Sequence, residues 1–163
     1  MMVFKRIPED LDEFSGEMVI AVVGSDEKPL RASNAWLDWR LYGGLNLLLA
    51  KEYFKGEFGE KCLLPTYGRF QFDRIVLLGA GDLFRPEAWP ETPSGQDLWR
   101  NIIQLIEATL QSLKVKNVGL SLPRYELVDQ EKALLKLFER AKLPGEMSLF
   151  MSRAQNSSRS QIS

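Results

Sequence analysis

The segment that most restricts what this chain can fold into is Met18 to Val23 (MVIAVV), six apolar residues in a row, four of them β-branched, closed by Gly24. A strand that faces water on one side alternates apolar with polar. A continuous apolar run of this length reads instead as a strand buried on both faces, the kind found in the middle of an α/β sheet. Arg74 to Leu78 (RIVLL) repeats the pattern and is stopped by Gly79-Ala80-Gly81.

Between these runs the period changes. After the polar loop Ser25 to Lys28 and Pro29, Ser33 or Asn34 is placed to cap a helix, with Asp38 near its positive end. Leu37, Leu41, Gly44, Leu45 and Leu48 then recur at helical spacing, which predicts one amphipathic helix. Gly43 and Gly44 each cost about 1 kcal/mol inside a helix, so the pair is read as a place where the backbone packs closely against another element. Cys62 to Leu64 is a short strand ended by Pro65, and Tyr67 to Arg69 a turn.

A connector with Pro86, Pro90 and Pro93 follows. Ser94 with Asp97 approximates a capping box for a second helix carrying Leu98, Ile102, Leu105, Ile106, Thr109 and Leu113. Asn117 to Leu122 is a strand. Leu127, Leu134, Phe138 and Ala141 mark a third helix, ended by Pro144-Gly145. Met147 to Met151 is the last strand. The predicted fold is α/β, a three-layer α/β/α sandwich on a mixed sheet, with the strand–helix–strand units parallel and the two-strand stretch antiparallel. The expected organisation is one domain over residues 1–151 and a disordered polar tail over residues 152–163.

Composition narrows the function classes. Lys and Arg number 21 against 22 Asp and Glu, a net charge of −1, so no global field draws in nucleic acid or an anionic membrane. There is no histidine, which removes imidazole acid/base catalysis, Ser–His and Cys–His nucleophiles and imidazole metal ligation. Cys62 is the single cysteine, hence no internal disulfide, and it reads as a core thiol in a reducing compartment. The first residues lack a signal-peptide core, and the apolar run near Leu45 to Ala50 is far short of a membrane span. A cytoplasmic protein is expected.

Few residues suggest a site. Gly79, Ala80 and Gly81 follow a strand and match the start of a dinucleotide fingerprint, but Phe84 occupies the third glycine position. They are the candidate ligand-binding residues. Trp36 and Trp39 lie three apart on the first helix and are the candidate interface residues. The loop carboxylates, Asp26, Glu27 and Glu60 among them, are read as solvated charge.

One stretch carries a family resemblance. Leu37-Asp38, Leu41, Gly43-Gly44-Leu45, Leu48-Leu49, Phe54-Lys55-Gly56, Gly59-Glu60, Leu63-Leu64, Gly68 and Arg74-Ile75-Val76-Leu77-Leu78-Gly79-Ala80-Gly81 together resemble the N-terminal domain of the cytosolic leucyl aminopeptidases. The resemblance implies a macrodomain-like fold. In that family the domain precedes a catalytic domain that holds two metal ions through carboxylates and a lysine, and it serves assembly and regulation around a hexameric core. The catalytic motif centred on Asn-Thr-Asp has no counterpart, because no Asn here is followed by Thr-Asp. No catalytic residue, metal or cofactor is carried over. The resemblance therefore implies a non-catalytic accessory or interaction domain that assists a peptidase, with a protein partner or self-association. The alternative is a binder of a nucleotide or ADP-ribose type of ligand at the carboxyl ends of the strands.

Overall fold

The computed structural model describes residues 2–5 and 7–152. Six strands form one sheet: β1 (Met2–Lys5), β2 (Met18–Val23), β3 (Lys61–Pro65), β4 (Arg74–Gly79), β5 (Asn117–Ser121) and β6 (Glu146–Phe150). Their order across the sheet is β1-β6-β5-β2-β4-β3. Every neighbouring pair is parallel except β3 with β4, which is antiparallel. The helices are α1 (Ala32–Arg40), α2 (Gly44–Ala50), α3 (Pro93–Leu113) and α4 (Val128–Ala141), with a 3-10 turn over Pro8–Asp12.

The layers account for the apolar runs. Met18, Ile20 and Val22 of β2 face a core shared with Trp99, Ile102 and Ile106 of α3 and Leu134 and Phe138 of α4. Val19, Ala21 and Val23 face the opposite core, which takes in Leu37 of α1, Leu45 and Leu49 of α2, and Phe54 and Phe72. A central strand covered on both sides has no polar face to show, so its sequence loses the alternation of an exposed strand. β3 is an edge strand, and Leu63 on it stays exposed.

Several local features differ from the sequence expectation. The single helix expected from Ser33 to Leu48 is two. α1 ends at Arg40, and Gly43, at φ +80°, turns the chain into α2. A Cβ at Gly43 or Gly44 would meet nothing within 4 Å, so the pair is not there for close packing; Gly43 supplies a left-handed conformation that other residues adopt only at a cost. The caps also differ. Arg31, not Ser33 or Asn34, is the N-cap of α1, and Thr92 caps α3 by accepting from Gly95 N at 3.0 Å, with Pro93 in the first turn. Asp38 does not serve the start of its own helix. It is buried and takes Asn46 N at 2.8 Å and Asn46 Nδ2 at 2.7 Å, so it caps the first turn of α2.

β1 is an addition to the expected order. It pairs parallel with β6 at the sheet's edge and is largely exposed. The expected tail begins at Ser152, and residues 153–163 lie outside the described residues.

Candidate functional site

The parallel strands β2, β4, β5 and β6 end together along one edge of the sheet. Neighbours β2 and β5 send their connections in opposite directions, β2 toward β4 and β5 toward β6. In open α/β sheets such a point leaves a crevice at the carboxyl edge.

The loop after β2 organises this edge. Asp26 accepts from Leu83 N and Phe84 N, both at 2.9 Å, and thereby pins the loop that leaves β4. Ser25 Oγ donates to Asp82 Oδ1 at 2.7 Å. On the β5 side, Tyr125 Oη donates to Leu83 O at 3.0 Å and accepts from Trp99 Nε1 at 3.1 Å. Burial drives the Tyr125 hydroxyl far above its ordinary range, with the charges of Asp26, Glu27 and Glu91 adding to the rise against the hydrogen bond from Trp99. It is a neutral structural hydroxyl at any physiological pH.

Beneath the loops lies a buried polar chain. Ser121 Oγ at the end of β5 donates to Asn34 Oδ1 at 2.6 Å. A hydroxyl has one proton, so the 2.6 Å contact between Ser33 Oγ and Ser121 Oγ is donated by Ser33. Asn34 Nδ2 then donates to Val22 O at 2.9 Å and to Glu27 Oε2 at 3.2 Å. Arg31 N gives Oε2 a second hydrogen bond at 3.1 Å. Glu27 is 1% exposed, and its Oε1 has no hydrogen-bond partner among the described residues. Burial pushes this carboxyl from 4.5 up to about 7, with the hydrogen bonds from Arg31, Asn34 and Gly24 opposing the rise. Since Oε2 already accepts from two donors, the proton of the neutral form belongs on Oε1. The reading of Glu27 and Asp26 as solvated loop charge is thus corrected: one is buried, the other holds two backbone amides.

Gly79, Ala80 and Gly81 lie at this edge, but their amides are all engaged. Gly79 N donates to Glu60 O at 2.7 Å, Ala80 N to Val23 O at 3.0 Å and Gly81 N to Gly56 O at 2.9 Å. The segment around Gly56 and Glu57 lies directly on the strand end, where a Cβ on Gly79 would stand 2.1 Å from Glu57 O. Glu60 holds that segment by accepting from the amides of Lys55, Gly56 and Glu57 at 3.0, 2.9 and 3.2 Å. A phosphate cradle needs free amides, and these three are not free.

The open space lies next to them. A crevice of about 380 Å³ is lined by Arg31 from the loop after β2, Phe84 and Trp89 from the connection after β4, and Arg124 to Leu127 with Gln130 from the connection after β5. The Arg31 guanidinium sits 5.1 Å from the centre of the Phe84 ring. Apart from Phe84, noted only as the departure from a glycine pattern, and Leu127, read as part of a helix stripe, none of these residues stood out in the sequence, because they are spread over three connections with no fixed spacing.

The two tryptophans have different fates. Trp39 is 63% exposed in the last turn of α1. Trp36 is half-buried, donates Nε1 to Asp12 Oδ1 at 3.1 Å and supports Trp39 with ring centres 4.9 Å apart. Beside them Arg69 lies 4.3 Å over the Tyr42 ring and bonds its hydroxyl at 2.7 Å. Trp39, Arg40, Tyr42 and Arg69 line a shallow, mainly apolar concavity of about 420 Å³. Among the described residues, no three His, Cys, Asp or Glu side chains are grouped to hold a metal ion, and no helix is long and apolar enough to cross a membrane.

Residues 19–143 match the model of the cytosol aminopeptidase family, N-terminal domain. A probable cytosol aminopeptidase of Alkaliphilus metalliredigens is 32% identical over 90 residues, which is 55% of this chain and 17% of the relative. One of Alkaliphilus oremlandii is 22% identical over 120 residues, 74% of this chain and 22% of the relative. The chain thus spans about a fifth of these curated relatives. Among solved structures, the macrodomain of Thermus aquaticus DarG superimposes with a TM-score of 0.57 at 13% identity, covering 92% of this chain and 97% of that one. The Oceanobacillus iheyensis macrodomain with ADP does so with a TM-score of 0.59 at 10% identity, covering 88% and 80%. These likenesses establish a macrodomain-like fold. The match over residues 19–143 takes in nearly all of β2 and everything from there through α4, and on it the chain belongs to the cytosol aminopeptidase family as a representative of its N-terminal domain.

Proposed function

We propose that this chain is a non-catalytic, cytoplasmic accessory domain that docks on a cytosol aminopeptidase through the aromatic face at the end of α1. The observation that supports this most is Trp39, held out at 63% exposure by the Trp36 ring, with Tyr42 and Arg69 stacked alongside. Trp, Tyr and Arg are the residues in which binding energy concentrates at protein interfaces. A rigid exposed Trp also loses little side-chain entropy on binding. Membership of that family is the ground for choosing a cytosol aminopeptidase as the partner to test. The region matched is the family's N-terminal domain, which supports a role without chemistry of its own.

The test is capture of a cytosol aminopeptidase catalytic domain that lacks its own N-terminal domain, with hydrolysis of a leucyl reporter followed in parallel. The chain is expected to form a complex of defined mass and to change the hydrolysis rate. Trp39→Ala is expected to weaken capture at least tenfold, about 1.4 kcal/mol or more, without unfolding the chain. Equal capture by Trp39→Ala, or no complex with the native chain, refutes the reading.

A further inference from the structure

We propose, resting on the docking reading just given, that the face at the end of α1 recognises an acidic surface segment of its partner. An apolar side chain of that segment sits between Trp39 and Tyr42, and a flanking carboxylate sits on Arg69.

The charges of the face point to this chemistry. Asp38, Arg40 and Arg69 are the charged residues lining the concavity. Asp38 is buried, and both its carboxylate oxygens accept from Asn46. Arg40 pairs with Asp12 at 3.2 Å and donates to Arg69 O at 3.1 Å. Asp12 is in turn taken up by that pair and by Trp36 Nε1. Arg69 is left over. It is exposed, and no carboxylate among the described residues pairs with it. Its stacking on Tyr42 occupies the flat side of the guanidinium, and one nitrogen bonds Tyr42 Oη at 2.7 Å. A guanidinium carries five N–H groups in its plane, so donors remain on the edge, and a carboxylate is the acceptor whose two oxygens match that edge.

The rest of the concavity asks for an apolar group. Trp39 and Tyr42 supply aromatic surface, and Gly43 contributes no side chain. Gly43 N donates to Asp38 O at 2.9 Å and Gly43 O accepts from Leu47 N at 3.1 Å. Both polar groups of that backbone are engaged, and covering them with an apolar side chain leaves neither without a partner. An apolar residue seated there also shuts water away from Arg69, and a charge pair beside a covered apolar patch is stronger than one in open solvent.

The face is held in shape before anything binds. Asp12 ties the 3-10 turn over Pro8–Asp12 to α1 through Trp36 and Arg40, and Arg40 ties α1 to the backbone of Arg69. Trp39 and Arg69 therefore keep a fixed relation, and little ordering is left for the moment of binding.

The test is capture of a cytosol aminopeptidase catalytic domain that lacks its own N-terminal domain, by the full native chain and by variants at Arg69. Arg69→Ala is expected to weaken capture about 5–10-fold and Arg69→Glu at least about 30-fold. Arg69→Lys, which keeps the charge and loses the fork, should fall between Arg69→Ala and the native chain. Raising salt from about 0.05 to about 0.5 M should weaken capture by the native chain more than capture by Arg69→Ala. Changing the surface carboxylates of the catalytic domain to Lys one at a time should yield one variant that restores capture by Arg69→Glu. Circular dichroism melts check that each Arg69 variant folds. If Trp39→Ala loses capture while Arg69→Glu keeps it, the docking stands and the acidic segment is wrong. The acidic segment is equally wrong if capture is indifferent to salt, or if no carboxylate reversal restores Arg69→Glu. No complex with the native chain overturns the docking itself, and this proposal with it.

Discussion

Replacing Glu27 by Gln should change how stability depends on pH, and the sign is fixed by the direction of its shift. Burial raises the folded-state pKa of this carboxyl from 4.5 to about 7. The folded protein therefore binds the proton more tightly than the unfolded chain does. The stability associated with that proton is fully present below pH 4.5, declines between about pH 4.5 and 7, and is gone above. A shift from 4.5 to about 7 corresponds to about 3 kcal/mol. Glutamine is neutral throughout. Its amide oxygen can replace Oε2 as acceptor for Asn34 Nδ2 and Arg31 N, and its NH₂ replaces an Oε1–H that likewise lacks an acceptor among the described residues. At pH 4.5 the two proteins should thus be close in stability, and at pH 8 Glu27→Gln should exceed the native chain by about 3 kcal/mol. For a domain of this size that is about 6–12 °C in melting temperature. Urea unfolding of both proteins at pH 4.5, 6, 7 and 8 measures the difference, in which the other titrating groups cancel. Parallel stability curves, or a difference that grows toward low pH, would refute the burial argument.

Two further substitutions test the local architecture. Asp38→Ala removes both hydrogen bonds to Asn46 and leaves a buried gap between α1 and α2; a loss of about 1–3 kcal/mol in urea unfolding is expected, with α2 amides exchanging faster than those of α3. Gly79→Ala places a Cβ 2.1 Å from Glu57 O, and the displaced backbone should cost about 1–3 kcal/mol. If that variant melts like the native chain, the loop over Gly79 is not seated as described.

Much of the fold was legible because burial on both faces leaves a plain mark. β2 and β4 are uninterrupted apolar runs, and α3 and α4 carry their cores at helical spacing. The pairing of β3 with β4 in antiparallel fashion follows from a connection too short for a crossover. β1 escaped because a short, exposed edge strand has no buried face to impose a pattern. The break between α1 and α2 was read as packing because a glycine's sequence signal is the same whether it supplies space or a positive φ; only the backbone angle at Gly43 separates the two.

The site was less legible, for a different reason. Glu27 sits in a polar loop, where exposure is the ordinary outcome, and its partner Asn34 is itself tied to Ser121 across 87 positions. Arg31, Phe84, Trp89 and Arg124 are brought together by the ends of three strands. Trp36 and Trp39 were visible as a pair, since residues three apart share a helix face. Which of the two is exposed depends on Asp12, whose carboxylate holds the Trp36 ring.

Hydrogen exchange of this chain, alone and with an aminopeptidase catalytic domain, bears most directly on the proposed docking. Protection is expected over residues 36–42 and around Arg69, where Trp39 and Tyr42 stand exposed, with the α3 and α4 face unchanged. Protection confined to that opposite face, or none at any aminopeptidase concentration, would contradict the account.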